Sequence, residues 1–265
     1  MNYPLESICK QVVQLVRETG AFTHGESAKF NLSDIEYKGV NDLVSYVDKE
    51  TEKKLVEGLK KILPQAGFIT EEGTVRDTSE HKLKWVIDPL DGTTNFLHRV
   101  MPYSISVALM EEETLLVGVV YEMNLDECFY AWLSGGAWCN GKPIRVSNIT
   151  SLNQSLVVTG FPYSLLNREN DFFEIIKHLV RETHGVRRMG SAAVDLCYVA
   201  CGRFEAYFEF NLKIWDIAAG ILIVQEAGGK VTDFSGGNDY LHGKELLASA
   251  NVHSSMLDVI KKYWQ

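Results

Sequence analysis

The chain has 265 residues, 46% hydrophobic and 23% charged, with 26 Lys+Arg against 35 Asp+Glu and a formal net charge of -9. That size and balance fit one large or two modest globular domains and exclude disordered and fibrous classes; the acidic excess, with no basic run, predicts no nucleic-acid partner. Five cysteines, odd in number and without a C-x-x-C pair, exclude a disulfide framework or zinc knuckle. They suit a reducing cytoplasm, and neither a signal peptide nor an apolar run of the ~18–20 residues needed to span a membrane is present.

Leu5, Ile8, Val12, Leu15 and Val16 recur at helical spacing, and a second helical pattern runs from about Asp48 through Leu55, Leu59 and Ile62 until Pro64 stops it. Between them, "FNLSDIEYKGVNDLVSYVD" predicts a loop or hairpin, being rich in Gly, Asn and Asp. Strands follow at 67–70, 84–88, 104–111, 115–123 and 127–133, the last three joined by loops too short for a crossover helix, which predicts an antiparallel meander. Asn140-Gly141 reads as a further tight turn. Beyond about Val146 the pattern alternates: strand 155–160, helix 167–182, strand 184–189, helix 191–203, strand 205–210, helix 216–227, strands 230–234 and 245–249, and a closing helix 254–264. Such alternation predicts a layered α/β half. Two subdomains, 1–148 and 149–265, are expected to share a broad interface, because no Pro- or Ser-rich linker separates them.

The chemistry gathers at "WVIDPLDGTTNF", residues 85–96, where Asp88 and Asp91 stand three residues apart. Pro89 keeps Asp88 extended, and the Gly-Thr-Thr after Asp91 suits a turn into a short helix whose first N–H groups face an anion. Two carboxylates ~4 Å apart repel by ~4 kcal/mol at an effective dielectric near 20, and a divalent cation reverses that sign. Oxygen donors favour Mg²⁺ or Mn²⁺ over zinc. Glu71-Glu72 and Asp216 are further candidates. Each also has a plain reading, Asp216 as a helix N-cap, Glu71-Glu72 as a solvated strand end and Asp88 as a turn aspartate, and the residues alone leave both open.

The stretches "GFITEEG", "WVIDPLDGTTNFLHRVMPYSISVAL", "GVVYEMNLDECFYAW", "GAWCNGKPIRVS", "RRMGSAAVDLCYVACGRFEAYFE" and "WDIAAGILIVQEAGG" resemble the inositol monophosphatase family of Mg-dependent, lithium-sensitive sugar phosphatases over nearly the whole chain. The resemblance implies a mixed α/β (α+β) five-layered αβαβα sandwich, usually a homodimer, that hydrolyses a small phosphate ester with two or three Mg²⁺. By that resemblance Glu71, Asp88, the Leu90 carbonyl, Asp91 and Asp216 look like metal ligands. Glu71, Thr93 and Asp48 look like the catalytic residues, with Glu71 and Thr93 orienting a water for in-line attack and Lys38 near a weaker metal site. Leu90, Asp91, Gly92, Thr93, Gly190, Ser191, Ala192, Glu209 and Asp216 look like the substrate's contacts, Glu209 accepting from a ring hydroxyl.

Ile214 and Asn124 depart from the commoner family pattern without touching a ligand position. Thr94-Asn95 is closer to inositol phosphatases than to nucleotide 3'-phosphatases, so inositol-1-phosphate hydrolysis is expected in the cytoplasm, without a membrane partner. The alternatives are fructose-1,6-bisphosphatase, NADP or nucleotide 3'-phosphatase activity, or a non-catalytic accessory role in transcription or ribosomal RNA maturation. The histidines show no H-E-x-x-H spacing and no G-x-S-x-G elbow occurs, which excludes a zincin or serine-hydrolase site.

Overall fold

Strand alternation sorts the apolar side chains into three cores. The structure is a computed structural model that describes residues 3–27, 29, 36–39, 42–44, 46–75, 81–161 and 168–264. In β4 (Leu83–Asp91) and β5 (Ser104–Glu111), Trp85, Ile87, Ile105, Val107 and Leu109 face one core while Val86, Ala108 and Met110 face another, as the period of two requires. The first face is covered by α1 (Leu5–Ser27) and α2 (Tyr46–Ile62), which bring Ile8, Val12, Val16, Leu55 and Leu59 to it. The second is covered by α5 (Ala192–Ala200) and α6 (Ile214–Glu226), whose mean apolarity suits helices buried on every side.

Seven strands form the larger sheet, in the order β3-β4-β5-β6-β7-β8-β9, with β3 (Gly67–Thr70), β6 (Thr114–Glu122), β7 (Glu127–Trp132), β8 (Ala137–Cys139) and β9 (Lys142–Ile144). From β4 onward every pairing is antiparallel, which is the expected meander, and β3 alone runs parallel to its neighbour. The smaller sheet has the order β11-β10-β12-β14-β13, built from β10 (Leu156–Thr159), β11 (Gly185–Arg187), β12 (Ala206–Phe210), β13 (Lys230–Thr232) and β14 (Glu245–Ser249). It is mixed: β10 pairs in parallel with β11 and β12, whereas β14 is antiparallel to both its neighbours. Its outer face carries Ala206, Phe208 and Phe210 against α4 (Glu169–Glu182) and α7 (His253–Tyr263), and its inner face carries Tyr207 toward α5 and α6. The layers therefore run α1/α2, large sheet, α5/α6, small sheet, α4/α7: the five-layered αβαβα sandwich.

Several elements differ from the sequence expectation. The strand expected at 84–88 continues to Asp91 through a register shift between Asp88 and Asp91. The helix expected to begin at 216 begins at Ile214, so Asp216 is its third residue and not its N-cap. The strands β8 and β9 were not anticipated, and the loop or hairpin expected before α2 includes an antiparallel pair, β1 (Glu36–Gly39) and β2 (Asp42–Val44). Among the described residues, no helix is long and apolar enough to cross a membrane.

The central helix packs its backbone directly against the large sheet because Gly118 of β6 has no side chain. A Cβ there would stand 2.6 Å from the Ala219 carbonyl oxygen and 3.1 Å from its Cα, both backbone atoms of α6. Gly118→Ala therefore forces α6 away from β6, and overpacking of this kind costs about 1–3 kcal/mol. Urea denaturation is expected to show a lower midpoint with an unchanged slope; an unchanged midpoint would show that the sheet yields instead.

Candidate active site

Pro89 has no N–H to give the sheet, and β4 answers by bulging: Asp88 pairs with Ser106 and Asp91 with Ser104, leaving Pro89 and Leu90 as the irregularity between them. Asp88 is 2% exposed, and its Oδ1 accepts from the Leu90 N–H at 2.9 Å. The chain then turns at Gly92, whose φ of 92° is left-handed and whose missing side chain admits the Pro102 and Gly190 carbonyl oxygens, 3.0 and 3.1 Å from where a Cβ would sit. The short helix α3 (Thr93–His98) starts there.

Three other segments converge on this bulge. Glu71 at the end of β3 donates its N–H to the Ile87 carbonyl at 3.3 Å, which brings its carboxyl close enough to Asp88 to act on it. At the start of α6, the Asp216 carboxylate accepts from the Lys213 N–H at 2.7 Å. The start of α5 binds Asp91, whose Oδ2 accepts from the Ser191 hydroxyl at 2.6 Å and from the Ala193 N–H at 2.8 Å. Ser191 is also the N-cap of α5, accepting from Val194 N–H, so its single hydroxyl hydrogen is committed to Asp91.

These carboxylates act on one another. Burial first, then the Glu71, Asp91 and Asp216 charges and the hydrogen bond to Glu71, hold the Asp88 carboxyl well above the ordinary range. Asp216 is likewise well above it, through burial and the charges of Asp91, Glu71 and Glu209, against the opposing Lys213 N–H. Burial raises Asp91 to about 6, although the Ser191 hydroxyl, two α5 N–H groups and the Arg188 charge all oppose the shift. Glu209, on the inner face of β12, is raised by burial to about 7 against the Tyr207 hydroxyl and Arg188. As they stand, no three His, Cys, Asp or Glu side chains among the described residues are arranged to hold a metal ion, so a cation would have to draw the oxygens inward.

The remaining expected residues lie around this cluster. Thr93 Oγ1 is 2.9 Å from the Leu90 carbonyl and 3.2 Å from Asp48 Oδ1, its one hydrogen serving either, and Asp48 is buried in α2. Gly190, Ser191 and Ala192 sit where β11 leads into α5. Lys38 lies in β1, but its side chain falls outside the described residues.

Four residues of this region were missed by sequence reasoning. Glu52, fully buried in α2, accepts from the Glu72 N–H at 2.8 Å, the Thr74 N–H at 2.8 Å and the Thr74 hydroxyl at 2.6 Å, and so pins the segment that follows Glu71. Its signal was present: Asp48 and Glu52 are i,i+4 acids on the apolar side of an amphipathic helix. Asn95 Nδ2 donates to the Pro102 and Met189 carbonyls, both at 2.8 Å, fastening α3 to the loop that carries Gly190. Arg188 is exposed at the rim, and Asp195 is buried with its Oδ1 unpaired among the described residues.

An acid raised in the folded state takes up protons that the unfolded chain, titrating near 4, does not. Folding is therefore favoured at low pH and loses stability as pH rises from about 4 through about 6 to 7, the values of Asp91 and Glu209. Asp88→Asn removes one charge from the cluster yet keeps an acceptor for Leu90. In chelator at pH 7.5 its melting temperature should exceed that of the wild type by a few degrees, at about 2–4 °C per kcal/mol for such a domain. At pH 4, where the wild-type carboxyl is itself protonated, the gap should close. Scanning calorimetry at both pH values checks this; a variant less stable at both would show that the charge is not the destabilising element.

A profile of the Inositol monophosphatase family matches residues 5–265. A protein from Neisseria meningitidis serogroup B, named "Putative Nus factor SuhB", is 44% identical over 85% of this chain and 87% of its own. An "Inositol-1-monophosphatase" from Mesorhizobium japonicum is 34% identical over 95% of each chain. The crystal structure of the suhB extragenic suppressor protein from Bartonella henselae superposes with a TM-score of 0.90 at 36% identity, covering 97% of this chain and 99% of that one. Relatives named Nus factor, and not for a hydrolase, overturn the expectation that nucleic acid is excluded as a partner. That expectation rested on net charge, which sums the whole surface and does not give the sign of the field over any one face. Matched from Leu5 to the last residue, and sharing the five-layered sandwich of its solved relatives, the chain belongs to the inositol monophosphatase family.

Proposed function

We propose that the chain hydrolyses phosphate monoesters in a divalent-cation-dependent reaction, with inositol 1-phosphate as its preferred substrate and inositol and inorganic phosphate as products. The observation that carries this reading is the convergence of Glu71, Asp88, Asp91 and Asp216, four acids from three separate segments, into one mutually repelling group around the buried Asp88. Carboxylate and carbonyl oxygens are the donors there, and they fit magnesium or manganese better than zinc. Glu71, Asp88, Asp91, Asp216 and the Leu90 carbonyl would hold the ions, and bound Mg²⁺ supplies charge for the phosphoryl oxygens and the leaving alkoxide and makes water more acidic.

The chain's own groups do the rest. Thr93 Oγ1, whose hydrogen is taken by Leu90 or Asp48, presents a lone pair that accepts from the attacking water. Glu71 receives that water's proton as its oxygen bonds to phosphorus and the ester P–O bond breaks, and the proton leaves on the alkoxide. The Gly92 and Thr93 N–H groups meet the developing phosphoryl charge. On the sugar side Glu209 accepts from a ring hydroxyl, while the Gly190–Ala192 turn, with Ser191 acting as an acceptor, borders the ring.

Inositol 1-phosphate, fructose 1,6-bisphosphate and adenosine 3',5'-bisphosphate assayed side by side with Mg²⁺ should give the highest kcat/KM for the first. Glu71→Gln should lower kcat by about 10²–10⁴-fold. Phosphate release from none of the three would end this reading.

Glu52 should then act as a support for Glu71. Glu52→Ala leaves the Glu72 and Thr74 N–H groups, both half-buried, without their acceptor and loosens the segment after β3. A loss of about 10–100-fold in activity, with a higher Mg²⁺ concentration for half-maximal rate, is expected of such an outer partner. Partial recovery in Glu52→Gln would tie the effect to the hydrogen bonds, and an unchanged Mg²⁺ requirement in Glu52→Ala would refute it.

A further inference from the structure

Gly160 follows β10, is buried, and does not occupy the left-handed backbone region in which a glycine is needed. Its reason lies across the sheet. A Cβ on Gly160 would stand 1.9 Å from Glu209 Oε2, 2.1 Å from its Cδ and 2.2 Å from its Oε1. The whole carboxylate of Glu209 thus fills the volume that any other residue at 160 would need for its own side chain. The two positions are brought together by register: β10 and β12 run parallel with Thr159 opposite Phe208, and the Thr159 hydroxyl donates to the Phe208 carbonyl at 2.6 Å.

Within that recess the half-buried acid is also oriented. The hydroxyl of Tyr207, itself fully buried, donates to Glu209 Oε2 at 2.7 Å. No described residue donates to Oε1, which leaves that oxygen as the acceptor available to a ligand.

We propose that Gly160 is a specificity-determining position: its lack of a side chain seats the Glu209 carboxylate where one oxygen accepts a hydrogen bond from a hydroxyl of a polyol phosphate. This rests on the reading of Glu209 as a substrate contact given above. Gly160 never touches substrate and acts through Glu209, as a positioning residue. The atoms that a new methyl group would strike are the tip of a flexible side chain, so the carboxylate swings aside and the fold survives. A site built to receive a hydroxyl then loses its preference for substrates that carry one.

The test uses the full chain with Mg²⁺ and two esters, inositol 1-phosphate and p-nitrophenyl phosphate, the second lacking any hydroxyl to offer. Gly160→Ala should lower kcat/KM for inositol 1-phosphate by about 10–100-fold, change that for p-nitrophenyl phosphate by less than about 3-fold, and lower the melting temperature by only a few degrees, as the buried Tyr207 hydroxyl loses its acceptor. In a Glu209→Ala background, adding Gly160→Ala should cause no further loss. An equal loss on both esters, no loss on either, or additive losses in the double variant would overturn the assignment. Failure of the wild type on both esters would overturn the phosphatase reading itself and this proposal with it.

Discussion

Repulsion among buried carboxylates is the constraint around which this molecule is built. An isolated ionised carboxyl is expensive to bury, and a second one beside it raises the cost. Here Asp88, Asp91 and Asp216 are all held above their ordinary range, yet none lacks a backbone donor. Leu90 N–H serves Asp88, Ala193 N–H serves Asp91, and Lys213 N–H serves Asp216. Two of these donors lie at the starts of the helices α5 and α6, where unpaired N–H groups and the helix dipole favour negative charge. These bonds reduce the penalty without abolishing it, and the site is left short of positive charge.

The layering decides that these acids meet at all. Asp88 and Asp91 come from the large sheet, Asp216 from the helix layer behind it, and Asp91's own donors from the neighbouring helix. Their separation is set by how closely α6 lies on β6, which the bare backbone of Gly118 against Ala219 fixes, and by how closely α5 lies on α6, where Gly220 faces Leu196. Fine positioning of charge therefore depends on small residues in the apolar interior. Glu52 and Asn95 do the corresponding work at the rim, with hydrogen bonds that hold the Glu71 and Gly190 segments in place.

How much of this could be read beforehand follows from the physics of each signal. The meander was legible because the strands at 104–111, 115–123 and 127–133 are long, apolar and joined by loops too short for any other topology. The strands β8 and β9 were not, since three residues around an Asn-Gly turn carry no periodicity. The start of α6 was misplaced by two residues because Asp216 looks like a cap, and it does accept from a backbone N–H, but from inside the first turn. Asp88-Pro-Leu-Asp91 announced its chemistry through two acids in an apolar run. Arg188 gave no such sign, as an exposed arginine looks the same in sequence whether or not an acid-lined site lies beneath it. The charge of -9 was read too broadly, for a composition constrains the average field and not its distribution.

Protons and cations compete for the same oxygens in such a cluster. The Glu71 side chain, with the charges of Asp91 and Asp216, raises the Asp88 carboxyl, and a proton taken up there relieves the repulsion from within. A divalent cation relieves it from outside and must displace that proton to do so, in the proposed reading, because a protonated carboxyl is a poor ligand. Cation affinity and acidity are thus two measures of one quantity, the negative potential that the fold concentrates at the end of β4. In the proposed reading, any substitution that makes the cation-free protein more comfortable there, by removing a charge or opening the site to water, would weaken its hold on the cation by the same physical route. Stability without a cation and the proposed affinity for one would then be set against each other by construction.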